Sequence, residues 1–232
     1  MPRYTAAYSS FVSRLNEVES LRQMALVKEQ QDAINNRHEI NALCRGAIVL
    51  LSSHLEAYVK EVGEIAIESL FTKNVPRDNI SSQFFYHISK DHIDEIKETA
   101  DPEKIAEKVF IFIQSDNDYW SKLGVFPQSV KADRFNKGFS NPAFKKIKTY
   151  FNRFGYSGYH VDLARKLQAQ FAPITNMVDH LVDTRNKIAN GDPAASKTPS
   201  EVRQMIRMIK KFCSETDSVF AAWWKSQFCS IR

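Results

Sequence analysis

Residues 45–62 read "RGAIVLLSSHLEAYVKEV". Extended by a few residues on each side, the apolar positions are Cys44, Ile48, Leu51, Leu55, Tyr58, Val62 and Ile65. They advance alternately by four and three. That period places them on one face of an α-helix, whereas a half-buried strand would alternate every second residue. The spacing predicts a helix over 37–71 with a continuous core-facing seam.

Three further stretches carry the same period. Tyr8, Phe11, Leu15, Val18 and then Leu21 or Arg22 mark a helix over 6–34. Val202, Ile206, Ile209, Cys213, Thr216, Phe220 and Trp223 mark a last helix near 198–228. It opens on Thr198-Pro199-Ser200-Glu201, a capping box with proline at the first helical position. Phe171, Ile174, Val178, Leu181 and Ile188 mark a penultimate helix from about Val161 to Asn190, which Pro173 kinks or divides.

Between these lies a less regular middle. "TKNVPRDNI" (72–80) is a connector, and the Phe84-Phe85-Tyr86 run fits either a buried helical turn or a short strand. Asp101 and Pro102 give a helix start by N-cap and first-turn chemistry. Residues 119–142 show no period and read as a long loop, a class that is often functional. Asn141-Pro142 then opens a short helix, "AFKKIKTYFNRF". The expectation is an all-α helical bundle, residues 1–232 forming one domain with an insertion at 72–160.

Composition agrees. The chain has 232 residues, 43% hydrophobic and 25% charged, with only 7 Gly and 8 Pro, which disfavours a loop-rich β fold. The longest uninterrupted apolar run, Val219 to Trp224, is far short of the roughly 20 residues that span a bilayer. The opening "MPRYTAAYSS" lacks the apolar core of a secretion signal. Cys44, Cys213 and Cys229 are an odd number without a CxxC pair, as expected of free thiols in a reducing cytoplasm. No membrane partner is expected.

Net charge is +5 and unevenly spread. Residues 91–118 hold nine acids against three lysines, while 131–166 hold nine Lys/Arg against two Asp. A basic second half suits a polyanion, or is simply a solvated surface. The stretch Phe135–Tyr159 interleaves five cations with aromatic rings. Such rings either stack on single-stranded bases or belong to the core. Trp223-Trp224 reads as packing or a dimer contact.

One residue breaks the pattern. On the penultimate helix the stripe steps from Leu181 to position 185 and on to Ile188, and position 185 is Arg185. A guanidinium on an apolar face needs an acid, a phosphate or a cleft open to water. Glu56, beside the seam of the 37–71 helix, is the acid within reach. Five residues on, Asn190-Gly191 forms a good helix stop, because Gly suits the left-handed position that follows a C-cap.

The stretch "RNKIANGD" (185–192) resembles the motif of HEPN domains, R-x4-6-H. It is most similar to the RiboL-PSP-HEPN-like branch, which reads Arg-Asn-x-Ile-Ala-His-Gly-Asp. Every position of that form is met except that Asn190 stands where the histidine should be. The Leu-Glu-Ala-Tyr element at Leu55–Tyr58 resembles the family's earlier helix. The resemblance covers the second, penultimate and last helices, and residues 72–160 match nothing.

The resemblance implies a helical bundle that forms a homodimer, two motifs sharing one cleft. It implies a metal-independent endoribonuclease, without cofactor, in which the ribose 2′-OH attacks the adjacent phosphorus to leave a 2′,3′-cyclic phosphate. Toxin and antiphage-defence roles are common, so an antitoxin or regulatory protein is an expected partner. In the catalytic set Arg185, Asn186 and Asn190, the arginine grips phosphate and the last position, when histidine, moves protons. Glu56, Gly191 and Asp192 are supporting residues, and Lys187, Lys145, Lys146 and Arg153 are expected to bind RNA. An Asn amide does not titrate, so this chain should be nearly silent as an RNase. The motif is intact around a single departure, which favours a replaced histidine over a decayed pseudoenzyme. The alternative is a non-catalytic interaction or RNA-binding module. His54 and His180 lie off the faces of Glu56 and Arg185. No HExxH, P-loop or GxSxG is present, so NTPase and zinc or serine hydrolase chemistry have no support.

Overall fold

The predicted seam is the centre of the molecule. In a computed structural model, which describes residues 4–232, the second helix α2 spans Arg37–Thr72. Cys44, Ile48, Leu51, Leu55, Tyr58 and Val62 on it are fully buried. Its last turns bury Ala66, Ile67 and Leu70, while Ile65 is only partly covered. The preceding helix α1 (Ala6–Asp32) lies along it, with the Phe11 and Tyr58 rings 5.6 Å apart. Of the two candidates on α1 it is Arg22 that is buried, its charge met by Glu19 at 2.7 Å one turn earlier.

Among the described residues all regular structure is helical, and the all-α bundle is as the periodicity requires. The last helix, α10 (Pro199–Gln227), closes the core over α1 and α2. Its capping box forms: Thr198 Oγ1 accepts from the Glu201 amide at 3.2 Å, and Glu201 Oε2 accepts from the Thr198 amide at 2.8 Å. The Tyr58 hydroxyl donates to the Cys213 carbonyl at 2.9 Å, joining α2 to α10 through a buried polar pair. No described helix is long and apolar enough to cross a membrane.

The middle is more ordered than the sequence suggests. Helices α3 (Ser82–Ile88), α4 (Lys90–Lys97), α5 (Pro102–Trp120), α6 (Ala132–Asn136) and α7 (Phe144–Asn152) follow α2. The ambiguous Phe84-Phe85 run is the helical option, both rings buried in α3. Asp101 caps α5 by accepting from the Glu103 amide at 3.0 Å. The aperiodic stretch 119–142 contains the end of α5 and all of α6, and is pinned by buried Phe126, Val130, Phe135 and Phe139. The aromatic residues of 135–159 are largely core: Phe135, Phe139, Tyr150, Phe151, Phe154 and Tyr159 are buried.

The penultimate helix is two helices. α8 (Tyr159–Leu167) ends where Gln168 takes φ 50°, and α9 (Phe171–Ala189) restarts after one 3₁₀ turn. The break therefore precedes Pro173, which sits in the first turn of α9, where its missing N–H breaks no hydrogen bond.

Candidate functional site

The end of α9 is built by local chemistry. Asn190 is the C-cap and Gly191 adopts φ 79°. The Gly191 amide donates to the Ile188 carbonyl at 3.1 Å, and the Asp192 amide donates to the Lys187 carbonyl at 3.0 Å. This pair of crossed bonds is a Schellman motif, which satisfies two carbonyls a helix end leaves orphaned. A positive φ is why glycine is needed here.

A second support comes from α2. Arg45 Nη1 donates to the Asp192 carbonyl at 2.9 Å, and Nη2 reaches the Ile188 carbonyl at 3.5 Å. A cation at a helix C-terminus is favoured by the helix dipole as well as by these bonds. Arg45 was not singled out from the sequence. Its only signal was its place at the head of the "RGAIVLL" seam, one residue off the buried face.

Arg185 lies one turn and a half before this stop, half-buried. Its expected partner Glu56 does not pair with it. Glu56 Oε1 instead accepts from Lys60 Nζ at 2.7 Å, an i,i+4 bridge on α2. Glu56 Oε2 accepts from the backbone amide of Asn141 at 3.1 Å. Asn141 then turns its side chain to Arg185: Oδ1 accepts from Nη1 at 3.4 Å. The same Nη1 donates to Asn186 Oδ1 at 3.2 Å. Among the described residues Arg185 makes no ion pair within 4 Å, and its charge is met there by two neutral amide oxygens at 3.2 and 3.4 Å.

Asn141, read from the sequence only as a helix opener, has a second role in bridging Glu56 and Arg185. It holds φ 53° three residues before α7 begins, a left-handed conformation that Asn tolerates better than most residues. That conformation lets one residue offer its amide to Glu56 and its carboxamide to Arg185. Asp179 on α9 anchors the next turn, accepting from the Phe144 amide at 2.8 Å. The start of α7 is thus fixed to the helix that carries Arg185.

The structure brings some of the expected cations to this place. Lys146 donates to the Ser140 carbonyl at 3.0 Å, beside Asn141, and Lys145 is exposed on the same turn of α7. Lys187 is exposed on α9, two residues past Arg185 and so turned to another face. Arg153 is elsewhere in role: it donates to the Phe135 and Lys137 carbonyls and lies over the Tyr150 ring at 5.5 Å. Asn190 is exposed, and Asp192 Oδ1 accepts from the Ala194 amide at 2.8 Å. His54 faces α1, with Glu17 3.5 Å away, and His180 is exposed.

The arrangement can do one thing well. It presents a guanidinium with free donors next to a lysine-bearing turn, with exposed Asn190 five residues on at the end of the same helix. A guanidinium so placed is suited to hold an anion. No curated protein and no solved structure matches the chain. A family model does: RiboL-PSP-HEPN, over residues 9–222. The match runs from α1 almost to the end of α10 and takes in Glu56, Arg185 and position 190, and the chain belongs to the RiboL-PSP-HEPN family.

Proposed function

We propose that Arg185, Asn186 and position 190 form the phosphate-binding cleft of an endoribonuclease scaffold, one single-domain subunit of a homodimer, inert in this form because Asn190 cannot transfer a proton. The observation that carries the reading is the uncompensated charge of Arg185. A half-buried guanidinium whose partners are two amide oxygens at 3.2 and 3.4 Å keeps donors for an anion. The arginines that serve the fold differ: Arg22 holds the Glu19 carboxylate, and Arg45 holds two carbonyls at the end of α9.

In the active form the 2′-oxygen of the ribose would bond to the neighbouring phosphorus while the bond to the 5′-oxygen breaks. The proton of the 2′-OH leaves to a base, and the departing 5′-oxygen takes one up. Arg185 stabilises charge on the non-bridging oxygens. A histidine at 190 would move the protons, an effect worth about 10²–10⁴-fold in rate. Toxicity of such an activity fits a toxin or antiphage role, restrained by an antitoxin or regulatory protein.

Asn190 itself favours a second reading, a binding module that holds RNA without cutting. The test separates them. Asn190→His should give cleavage of labelled single-stranded RNA, with 2′,3′-cyclic phosphate ends and no inhibition by EDTA. Adding Arg185→Ala should abolish it. A folded, dimeric Asn190→His protein as inert as the present chain overturns the nuclease reading and leaves the binding module.

A further inference from the structure

A groove between α8 and α10 lies outside the Arg185 cluster and shares no residue with it. On α8, Asp162, Arg165 and Lys166 occupy positions i, i+3 and i+4 and so face one way. On α10, Val219, Ala222 and Trp223 have the same spacing. Together with Tyr156 these residues line an open groove of about 380 Å³.

Its floor is aromatic. The Tyr156 and Trp223 rings stack with centroids 4.4 Å apart and planes 3° from parallel. The two neighbouring tryptophans differ sharply: Trp224 is core, 1% exposed, whereas Trp223 is only half-buried. The position of the Tyr156 ring is fixed from below, because its hydroxyl donates to Asp162 Oδ2 at 2.7 Å. Asp162 Oδ1 accepts from Arg165 Nη1 at 3.0 Å, which holds the guanidinium at the rim. Arg165 is 76% exposed and keeps its other donors, and Lys166 is exposed and forms no ion pair among the described residues.

A preformed aromatic floor with two cations on one rim and apolar Val219 and Ala222 on the other selects a particular ligand. It suits a flat ring joined to an anion by a short link. From this we infer a second binding site for a nucleoside phosphate unit. The base packs at Trp223, and the phosphate meets Arg165 and Lys166. One acid faces the groove against two cations, so the rim is net positive. The unit could come from a free nucleotide or from one position of a single-stranded RNA. In the second case the groove would hold a base of the strand remote from the scissile phosphate.

The probes are 5′-AMP, adenosine and a single-stranded RNA hexamer, each titrated by calorimetry into the full chain. Binding of 5′-AMP is expected, with adenosine weaker by about tenfold, the loss of one charge-assisted contact. Arg165→Ala with Lys166→Ala should weaken 5′-AMP about tenfold or more, and Trp223→Leu should weaken both 5′-AMP and adenosine. Both cations are exposed, so their removal leaves the fold intact, which the thermal midpoint checks. Binding of the hexamer but not of 5′-AMP, still lost in the Arg165/Lys166 variant, assigns the groove to the strand. In Arg185→Ala, 5′-AMP binding should persist, which keeps this site separable from the phosphate grip on α9. If the Arg165/Lys166 variant binds every probe as the parent does, or if no probe binds, the inference is overturned.

Discussion

Arg185 and Asn141 meet side chain to side chain across 44 positions of sequence, Nη1 donating to Oδ1 at 3.4 Å. The contact is long, so it orients the guanidinium without consuming it. Glu56, which accepts from the Asn141 amide at 3.1 Å, acts on Arg185 through this intermediary.

That division of labour can be tested at one position. Asn141→Gly keeps the positive φ and the amide that reaches Glu56, and deletes only the carboxamide. Global stability should change by less than about 0.5 kcal/mol, while affinity for single-stranded RNA falls several-fold, in line with one modest hydrogen bond. Asn141→Ala should in addition destabilise the fold by about 1 kcal/mol, because alanine resists that backbone conformation. Urea unfolding and a filter-binding assay read the two effects apart. Equal RNA affinity in all three proteins would mean that Asn141 does not orient Arg185.

The packing of α2 against α7 makes a sharper prediction. A Cβ at Gly63 would lie 2.1 Å from the Tyr150 hydroxyl oxygen and 2.9 Å from Cζ. Tyr150 is fully buried and donates to Asn136 Oδ1 at 2.6 Å, so it has no room to retreat. Gly63→Ala should cost about 1–3 kcal/mol by overpacking. Adding Tyr150→Phe should recover part of that loss by removing the clashing oxygen. A Gly63→Ala protein as stable as the parent in urea would show that α7 sits farther from α2.

Acid should weaken the fold through His87. Burial, with the nearby charges of Arg153 and Lys90, pushes its imidazole down to about 4 from 6.5. The unfolded chain takes up a proton as pH falls through 6.5, and the folded chain resists until about pH 4. Stability is therefore full above pH 6.5 and is lost as pH falls through that window. Between pH 7 and pH 5 this group alone accounts for about 2 kcal/mol. His87→Gln carries no such proton, so its stability should change less over the same interval. Parallel losses in parent and variant would remove His87 from the account.

Assembly and charge give the last test. A homodimer with both Arg185 residues near the two-fold axis should sediment as a dimer at micromolar concentration. RNA affinity should fall steeply with salt, because released counterions carry much of the binding free energy. Arg185→Ala should lower affinity at every salt concentration. A monomer, or RNA binding indifferent to salt, would count against the shared cleft.

The long helices were legible because each buries a stripe that repeats for many turns. The Thr198 capping box and the Asp101 cap were legible because side-chain caps depend on a few neighbouring residues. Arg185 was legible as an exception to a stripe. Other features had no local signal. Phe84-Phe85 is too short a run to show a period. The break at Gln168 uses a positive φ without glycine. The stripe of α10 moves from Trp223 to Trp224 because steps of four follow Thr216 and Phe220, a drift that accumulates over a long helix. Asn141 and Arg45 act through contacts more than forty residues away in sequence, which no periodicity encodes.

The closure of α10 over α1 and α2 has a consequence for synthesis. The seam of Leu51, Leu55 and Tyr58 leaves the ribosome early and α1 can pack on it at once, but the side that α10 covers waits for the last helix. The 140 residues from 59 to 198 must be made in between, so the nascent chain carries part of this apolar face uncovered through much of its translation. Chains whose core partners arrive late are prone to off-pathway contacts. The same order acts as a timer. Until α10 docks, α2 and α9 lack the helix that packs against both, so the frame carrying Arg45 and Arg185 is not complete until the last helix is made.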